Sequence, residues 1–204
     1  MKLLIFLFLL LSWEASVEAK IIEPMIDSSH KRVILGQDAT RALSLWKADF
    51  SLYKFNDFMK PVQDLYGDSK DELPMIVKGN FNSDDINDVA LIGRSEAKEF
   101  IVVLISDLKT HSYNVYQISE SEASEPNTIK NNVEDKIFYG LNTYLSLLRA
   151  SEILSMTRES RVSKQKITSP QITDVVQVEV YLSSVTQGYY FDGSKMIPFF
   201  GELK

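Results

Sequence analysis

The period of apolar positions is helical in the first third of the chain. Apolar residues recur at helical spacing from 39 to about 47, which predicts a short helix with Asp38 as its N-cap. Pro61 suits a first helical position, so a second helical turn is expected from 61 to 66. The aromatic side chains between 46 and 58 are expected to pack against a sheet, because each carries a large apolar area.

From Leu73 onward the apolar positions follow the period of β-strands. Strands are predicted at 75–78, 88–93, 99–106 and 113–119. The run 100–105 is apolar at every position, which indicates a central strand covered on both faces. The stretch 119–135 is polar and acidic and contains Pro126, so it predicts a long surface loop.

The C-terminal part of the chain also favours strands. Residues 143–149 fit either a strand or a helix, and 158–169 is a polar, basic connection. Residues 174–181 alternate like a strand with one exposed face. Residues 185–191 and 195–200 predict a hairpin, because Asp192-Gly193 between them supplies the positive φ of a tight turn. Together the patterns predict an α+β fold: a mostly antiparallel β-sheet with a short helical N-terminal part, in a single domain.

The first 19 residues have the pattern of a secretory signal peptide. Lys2 is followed by an unbroken apolar run, and Val17 and Ala19 fit the small positions of a cleavage site before Lys20. The alternative is a membrane anchor, but a span needs about 20 apolar residues and this run has about half that number. We therefore expect a signal peptide at 1–19, an exported domain at 20–204, and a periplasmic or secreted protein.

Charge and cysteine content exclude several function classes. The chain has a net charge of −6 and no Lys- or Arg-rich stretch, so no nucleic-acid partner is expected. No second long apolar segment follows, so no membrane span is expected after cleavage. The chain has no cysteine, which excludes disulfides, thiol nucleophiles and thiolate metal sites.

One segment, 79–93, carries a pattern of oxygen-bearing residues. Side-chain oxygens stand at Asn80, Asn82, Asp84 and Asp88, and Ile86 can offer its backbone carbonyl. Alternate oxygen donors on a tight turn are what a hard cation such as Ca²⁺ requires. These five residues are therefore the candidate metal ligands.

Residues 74–93 resemble the Asp-rich loop of FG-GAP/VCBS-type modules, the integrin-α-like family, whose pattern is close to Gly-Asp-Phe-Asn-Gly-Asp-Gly-x-x-Asp before an apolar strand. The residues that match this pattern are Gly79, Phe81, Asn82, Asp84 and Asp88. The ending 189–196 is similar to that of small exported bacterial proteins that carry one such loop. The resemblance implies a Ca²⁺-type loop.

The loop departs from that pattern in ways that lower its charge. Asn80 stands where the family has its first acidic ligand, and Ser83 and Asp85 replace two turn glycines. Two formal carboxylates remain, those of Asp84 and Asp88, so the cofactor is expected to be none or a weakly bound Ca²⁺. The alternative is an Asx-rich turn whose side chains bind its own backbone.

Catalytic signatures are sparse. The chain has two histidines, His30 and His111, and neither a Gly-x-Ser-x-Gly motif nor a Gly-rich phosphate loop. No catalytic or cofactor-binding residue is singled out. The expected function is a non-catalytic exported binding or structural module of the cell envelope, whose partner is an unknown protein or envelope component. The alternative is a secreted hydrolase that uses a carboxylate pair; a cleft of converging acidic side chains would favour it.

Overall fold

The computed structural model describes residues 21–84, 86–152, 173–183 and 186–199. The predicted signal peptide and the connection predicted at 158–169 lie outside these residues. The strands are β1 Met25–Asp27, β2 Arg32–Ile34, β3 Ser51–Leu52, β4 Ile76–Gly79, β5 Asp88–Ser95, β6 Lys98–Asp107, β7 Ser112–Glu122, β8 Lys130–Val133, β9 Lys136–Tyr139, β10 Thr143–Leu148, β11 Val175–Val180, β12 Thr186–Phe191 and β13 Met196–Phe199. The helices are α1 Gln37–Trp46 and α2 Lys60–Leu65, with 3₁₀ turns at Phe55–Asp57 and Pro126–Thr128.

The larger sheet is antiparallel and has β5 and β6 at its centre. Its order is β3-β5-β6-β7, and β4 pairs with the first half of β5 on the edge that β3 uses further along. Residues 100–105 of β6 are buried at every position. The prediction of a central strand covered on both faces is confirmed, because continuous apolarity is what two covered faces require.

The second sheet has four antiparallel strands in chain order, β10-β11-β12-β13. Residues 143–149, which the sequence left between strand and helix, therefore form a strand. The predicted C-terminal hairpin is confirmed: β12 and β13 pair in register, and Gly193 in the turn has a φ of 99°. The second sheet joins the first through β10, where the Leu145 N–H donates to the Pro74 carbonyl at 3.0 Å.

Helix α1 packs its buried face against the larger sheet, with Ala39 and Leu43 one turn apart and inaccessible to solvent. The Trp46 ring meets the Phe100 ring edge to face at a centroid distance of 5.3 Å, as expected for the aromatic cluster. The prediction of Asp38 as N-cap is wrong. Gly36 occupies that position, and the Asp38 carboxylate instead accepts the Ile22 N–H at 2.9 Å.

The surface loop predicted at 119–135 is only partly a loop. Strand β7 extends to Glu122, and the β8–β9 hairpin begins at Lys130. The backbone of β7 pairs with β6, and the side chains at its end stay exposed, so a polar sequence is compatible with the strand. Lys98 supports this end with an ion pair to Glu122 at 2.5 Å.

Among the described helices, none is long and apolar enough to cross a membrane.

The 80–88 loop as candidate functional site

Asp88 is the buried anchor of the loop. It is the first residue of β5 and is 0% exposed. Its Oδ2 accepts the Phe81 N–H at 2.8 Å, and its Oδ1 accepts the Ser106 N–H at 2.7 Å and the Ser106 hydroxyl at 2.9 Å. The carboxylate thus closes the loop onto its own start and fastens it to the end of β6.

Burial dominates the titration of this carboxyl. The pKa of Asp88 is raised to about 6: removal from water is the main cause and the nearby Asp84 charge adds to it, although the hydrogen bonds from Ser106 and Phe81 favour the ionised form. A buried carboxylate is costly even when three donors surround it. Asp88 therefore changes charge close to the pH range in which proteins usually work.

Ser106 lies between the two loop carboxylates. Its hydroxyl oxygen is 2.7 Å from Oδ2 of Asp84 and 2.9 Å from Oδ1 of Asp88. A hydroxyl carries one proton and can donate to one carboxylate at a time. When both carboxyls are ionised, one of these contacts lacks a proton, so the arrangement favours an additional proton or a cation between them.

The rest of the loop is organised around Asp84. Its Oδ1 accepts the Ile86 N–H at 2.8 Å, and its own N–H donates to Oδ1 of Asn82 at 3.1 Å, which is an Asx turn. The Asn82 Nδ2 donates to Oδ2 of Asp84 at 2.9 Å and to the Ser106 carbonyl at 3.0 Å. Ser83 has a φ of 62°, the left-handed conformation that the family pattern assigns to glycine.

Asn80 is bound to the loop in a different way. Its Nδ2 donates to the Asp84 carbonyl, while its Oδ1 is buried without a hydrogen-bond partner. The structure thus brings Asn82, Asp84 and Asp88 together around Ser106. Asn80 reaches the backbone of the loop, and Ile86 contributes an N–H donor. Asp85 lies outside the described residues.

Two residues of the site were missed by sequence reasoning, Ser106 and Asp174. Asp174, just before β11, accepts the Asn80 N–H at 3.1 Å through Oδ2 and the Ala150 N–H at 2.9 Å through Oδ1. Its N–H also donates to the Asn80 carbonyl at 3.1 Å. The loop is therefore fastened to both sheets, and no local pattern signals partners that lie so far away in sequence.

Gly79 is required here by close approach. A Cβ at this position would lie 2.8 Å from Leu147 Cδ1, 2.8 Å from Phe81 Cε1 and 3.1 Å from an Asp174 oxygen. Any side chain at this position would push the loop away from the second sheet. Close packing in this fold therefore requires the glycine that the family pattern has here.

The loop carboxylates are poorly placed to attack a substrate. Asp88 is inaccessible, and every carboxylate oxygen of Asp84 and Asp88 receives a protein donor. A glycosidase pair needs two carboxyl groups that flank a substrate in an open cleft. Among the described residues, no group of three or more His, Cys, Asp and Glu side chains has a geometry that could hold a metal ion.

A cleft of about 370 Å³ lies elsewhere, between the β1–β2 turn and residues 52–56. Its floor includes Tyr53 and Met75, which are 3% and 1% exposed. Of the described residues that line it, three are basic, Lys31, Arg32 and Lys54, and none is acidic. The cleft therefore lacks the converging carboxylates of the hydrolase alternative.

The match to the family pattern is confined to this loop and its flanking strand residues. Its residues form a turn between the antiparallel strands β4 and β5, with Gly79 paired to Asp88 across the turn. The resemblance to FG-GAP/VCBS-type modules stays a prediction, because no family model matches the chain and neither a curated protein nor a solved structure matches it.

Proposed function

We propose that the chain is a non-catalytic exported module of the cell envelope, with a binding or structural role and a degenerate Ca²⁺-type loop at 80–88. The observation that carries the proposal is the state of Asp88. Its carboxylate is fully buried and is saturated by donors from Phe81 and Ser106. A group used in this way holds the fold together, and it offers no free oxygen to a substrate.

The absence of catalysis is supported by the carboxylates outside the loop as well. Glu179 accepts hydrogen bonds from the Tyr144 hydroxyl at 3.0 Å and from Ser146, on the surface of the second sheet. Burial raises the pKa of Glu99, but this residue does not line the cleft. Neither carboxylate has a second carboxylate in the hydrogen-bonded cluster around it, so these two residues give no support to a general acid and base pair.

Weak Ca²⁺ binding follows from the orientation of Asn82. Its Nδ2 faces Asp84 and Ser106, and an amide N–H repels a cation. Binding through Asn80, Asn82, Asp84, Asp88 and the Ile86 carbonyl requires the Asn82 amide to turn its oxygen inward and give up these hydrogen bonds. The loop also has few carboxylates. Together with the cost of turning the amide, this places the dissociation constant for Ca²⁺ within the range of about 10⁻⁴ to 10⁻³ M found in extracellular modules, or above it.

Export is tested by expressing the full chain with a C-terminal tag in a bacterial host and separating cytosol, periplasm and medium. We expect the protein in the periplasm or medium, with an intact mass that begins at Lys20. A cytosolic protein that retains residues 1–19 would contradict export.

The absence of catalysis is tested on the same purified protein with chromogenic glycosides, esters and phosphate esters. We expect no turnover above a matched preparation from cells that lack the gene. Turnover that Glu179→Gln or Asp84→Asn abolishes, without loss of the cooperative melt, would establish the hydrolase alternative.

A further inference from the structure

The cleft between the β1–β2 turn and residues 52–56 has a charge opposite to that of the molecule. The chain carries a net charge of −6, yet three of the residues that line the cleft, Lys31, Arg32 and Lys54, are basic and none is acidic. Clefts lined by one sign of charge concentrate ligands of the opposite sign. A lining of this sign favours anionic ligands, although the net charge of the chain is negative.

Lys31 is held in place rather than left free in solvent. Its Nζ donates to the Tyr66 carbonyl and to the Ser69 carbonyl, each at 2.9 Å, and lies 5.8 Å from the centre of the Phe55 ring. An ammonium group has three N–H donors, so one remains after these two bonds. A cation that is already held in place loses little side-chain entropy when a ligand binds, so less of the binding free energy is spent on ordering it.

The turn that carries these cations is fixed by Asp27. Its carboxylate accepts the Ser29 hydroxyl at 2.6 Å, the His30 N–H at 3.3 Å and the Arg32 Nε at 2.9 Å. Among the described residues, only Nε of Arg32 is paired, so within them both terminal nitrogens of the guanidinium remain as a fork for two oxygens. Asp27 itself does not line the cleft.

The remaining walls are apolar and aromatic. Leu52, Val33, Met75 and the Phe55 ring line the cleft beside the cations. The Tyr53 hydroxyl is buried and faces the Glu99 carboxyl, and burial first and this carboxyl second raise the pKa of the phenol. A volume of about 370 Å³ is within the range of small-molecule sites and is too small for a folded partner.

We propose that this cleft binds a small molecule in which a carboxylate or phosphate group is attached to a flat apolar body. Lys31 and Arg32 hold the anionic group, Lys54 adds a third positive charge at the rim, and Phe55 with Leu52 covers the apolar part. The proposal rests on the binding role proposed above and names the ligand class that this role would serve.

The probes are phenylphosphonate and benzoate, with inorganic phosphate, benzyl alcohol and benzylamine as comparisons. Binding to the purified mature chain is followed by amide chemical shifts and by calorimetry at low and high salt. We expect saturable shifts at 30–33 and 52–56 with phenylphosphonate and benzoate, weaker binding of phosphate, and none of the alcohol or amine. Affinity should fall as salt rises, because the cations are partly exposed.

The test variant is Arg32→Gln combined with Lys54→Gln, and the matched control is Lys130→Gln combined with Lys136→Gln on the β8–β9 hairpin, where both side chains are exposed. We expect the first variant to weaken binding about tenfold or more, as the loss of charged hydrogen bonds does, and the control to change it less than about twofold. Both pairs lie on the surface, where the loss of an exposed ion pair such as that of Arg32 with Asp27 costs little stability, so thermal melts should remain close to wild type.

Three outcomes would overturn the proposal: equal affinity in the two variants, equal binding of benzylamine, or shifts that map outside the cleft. Saturable binding of polyglutamate without binding of the small anions would assign the cleft to an acidic segment of a protein instead. Hydrolysis of phenyl phosphate by the wild type would contradict the non-catalytic function, whereas failure of anion binding without any turnover would leave that function in place.

Discussion

Asp88 and Ser106 are joined twice, since the Ser106 N–H donates to Oδ1 of Asp88 at 2.7 Å and the Ser106 hydroxyl lies 2.9 Å from the same oxygen. The two residues stand together at the open end of the β5–β6 hairpin, next to the pair of Val89 and Leu104 and far from the turn beside Ser95 and Lys98. The Asp88 carboxylate therefore joins β5 to β6 just beyond the last backbone pair of the two strands. The loop 80–88 is closed by this side chain.

Asp88→Ala should lower the free energy of unfolding by about 1–3 kcal/mol, because it leaves the Phe81 N–H and the Ser106 donors unpaired in a buried position. The loss should be present with a chelator and with millimolar Ca²⁺. Chemical denaturation under both conditions measures it, and Asp71→Ala, which removes an exposed carboxylate, is the control. An Asp88→Ala protein as stable as the control would mean that the loop is a solvated connection.

The pH dependence of stability should differ between the wild type and Asp88→Asn. The pKa of Asp88 is about 6 in the folded chain and close to 3.9 when unfolded, so the folded state binds more protons between these values. The contribution of this group is fully present below about pH 4 and is lost as the pH rises through 6. A shift of about two pKa units corresponds to about 3 kcal/mol.

The measurement is the free energy of unfolding of both proteins from pH 4 to 8. Because Asn does not titrate, the difference between the wild type and Asp88→Asn reports the effect of the Asp88 carboxyl alone. Asp27, Asp107 and Asp192 have lowered pKa values, which change the stability in the opposite direction and at lower pH, and their effect cancels in this difference. The wild type should lose stability relative to the variant as the pH rises. Parallel curves would show that Asp88 has an ordinary pKa.

Ca²⁺ should stabilise the wild type weakly, by about 1 kcal/mol or less at millimolar concentration, as expected for a dissociation constant near that concentration. Asn80→Asp restores the first acidic ligand of the family pattern, so its melt should respond more strongly to Ca²⁺. Without the ion it should melt lower than the wild type, since the bond from the Asn80 amide to the Asp84 carbonyl is lost.

Thermal melts with a chelator, Mg²⁺ and Ca²⁺ separate these cases, and Asp84→Asn in the Asn80→Asp background is the control that should abolish the response. A large Ca²⁺-dependent rise in the wild type that Asp88→Ala removes would establish a genuine ion site in the natural sequence. No response in Asn80→Asp would show that this loop does not share the ion-binding geometry that the resemblance implies.

Sequence reasoning was most successful where periodicity is long and apolar. The run 100–105 and the C-terminal hairpin were predicted because burial and turn chemistry act locally. It failed at Asp38, where the carboxylate binds the Ile22 N–H and does not cap its own helix. It also ended β7 too early, because pairing with β6 supports a strand whose side chains are polar.

The candidate site was predicted in its local part only. Asn82, Asp84 and Asp88 share one loop and were recognised from their spacing. Ser106 comes from β6 and Asp174 from the residue before β11, and the packing of the two sheets brings them to the loop. The basic cleft has the same origin, since residues 30–33 and 52–56 meet only in the folded chain.

The C-terminal hairpin should be required for folding, and Phe191 carries the reason. Its ring meets the Tyr116 ring of β7 edge to face at a centroid distance of 5.1 Å, so the last hairpin of the second sheet contacts the outer strand of the first. Tyr189, two residues earlier, is 9% exposed and belongs to the core.

Phe191→Ala should therefore lower the free energy of unfolding by about 1–3 kcal/mol, less than a fully buried Phe because the ring is half-buried. Tyr139→Ala is the matched control, since that ring is 58% exposed and its loss should cost little. The double variant with Tyr116→Ala should show a coupling of about 0.5–1.5 kcal/mol, the usual value for an aromatic pair. Truncation after Gly188 removes Tyr189, Phe191 and the whole of β13 and leaves only the first three residues of β12 beside β11, so we expect a protein without a cooperative melt. A truncated chain that melts cooperatively at the temperature of the full chain, or a coupling of zero in the double variant, would show that the hairpin is an appendage and that β10 and the 80–88 loop hold the two sheets together without it.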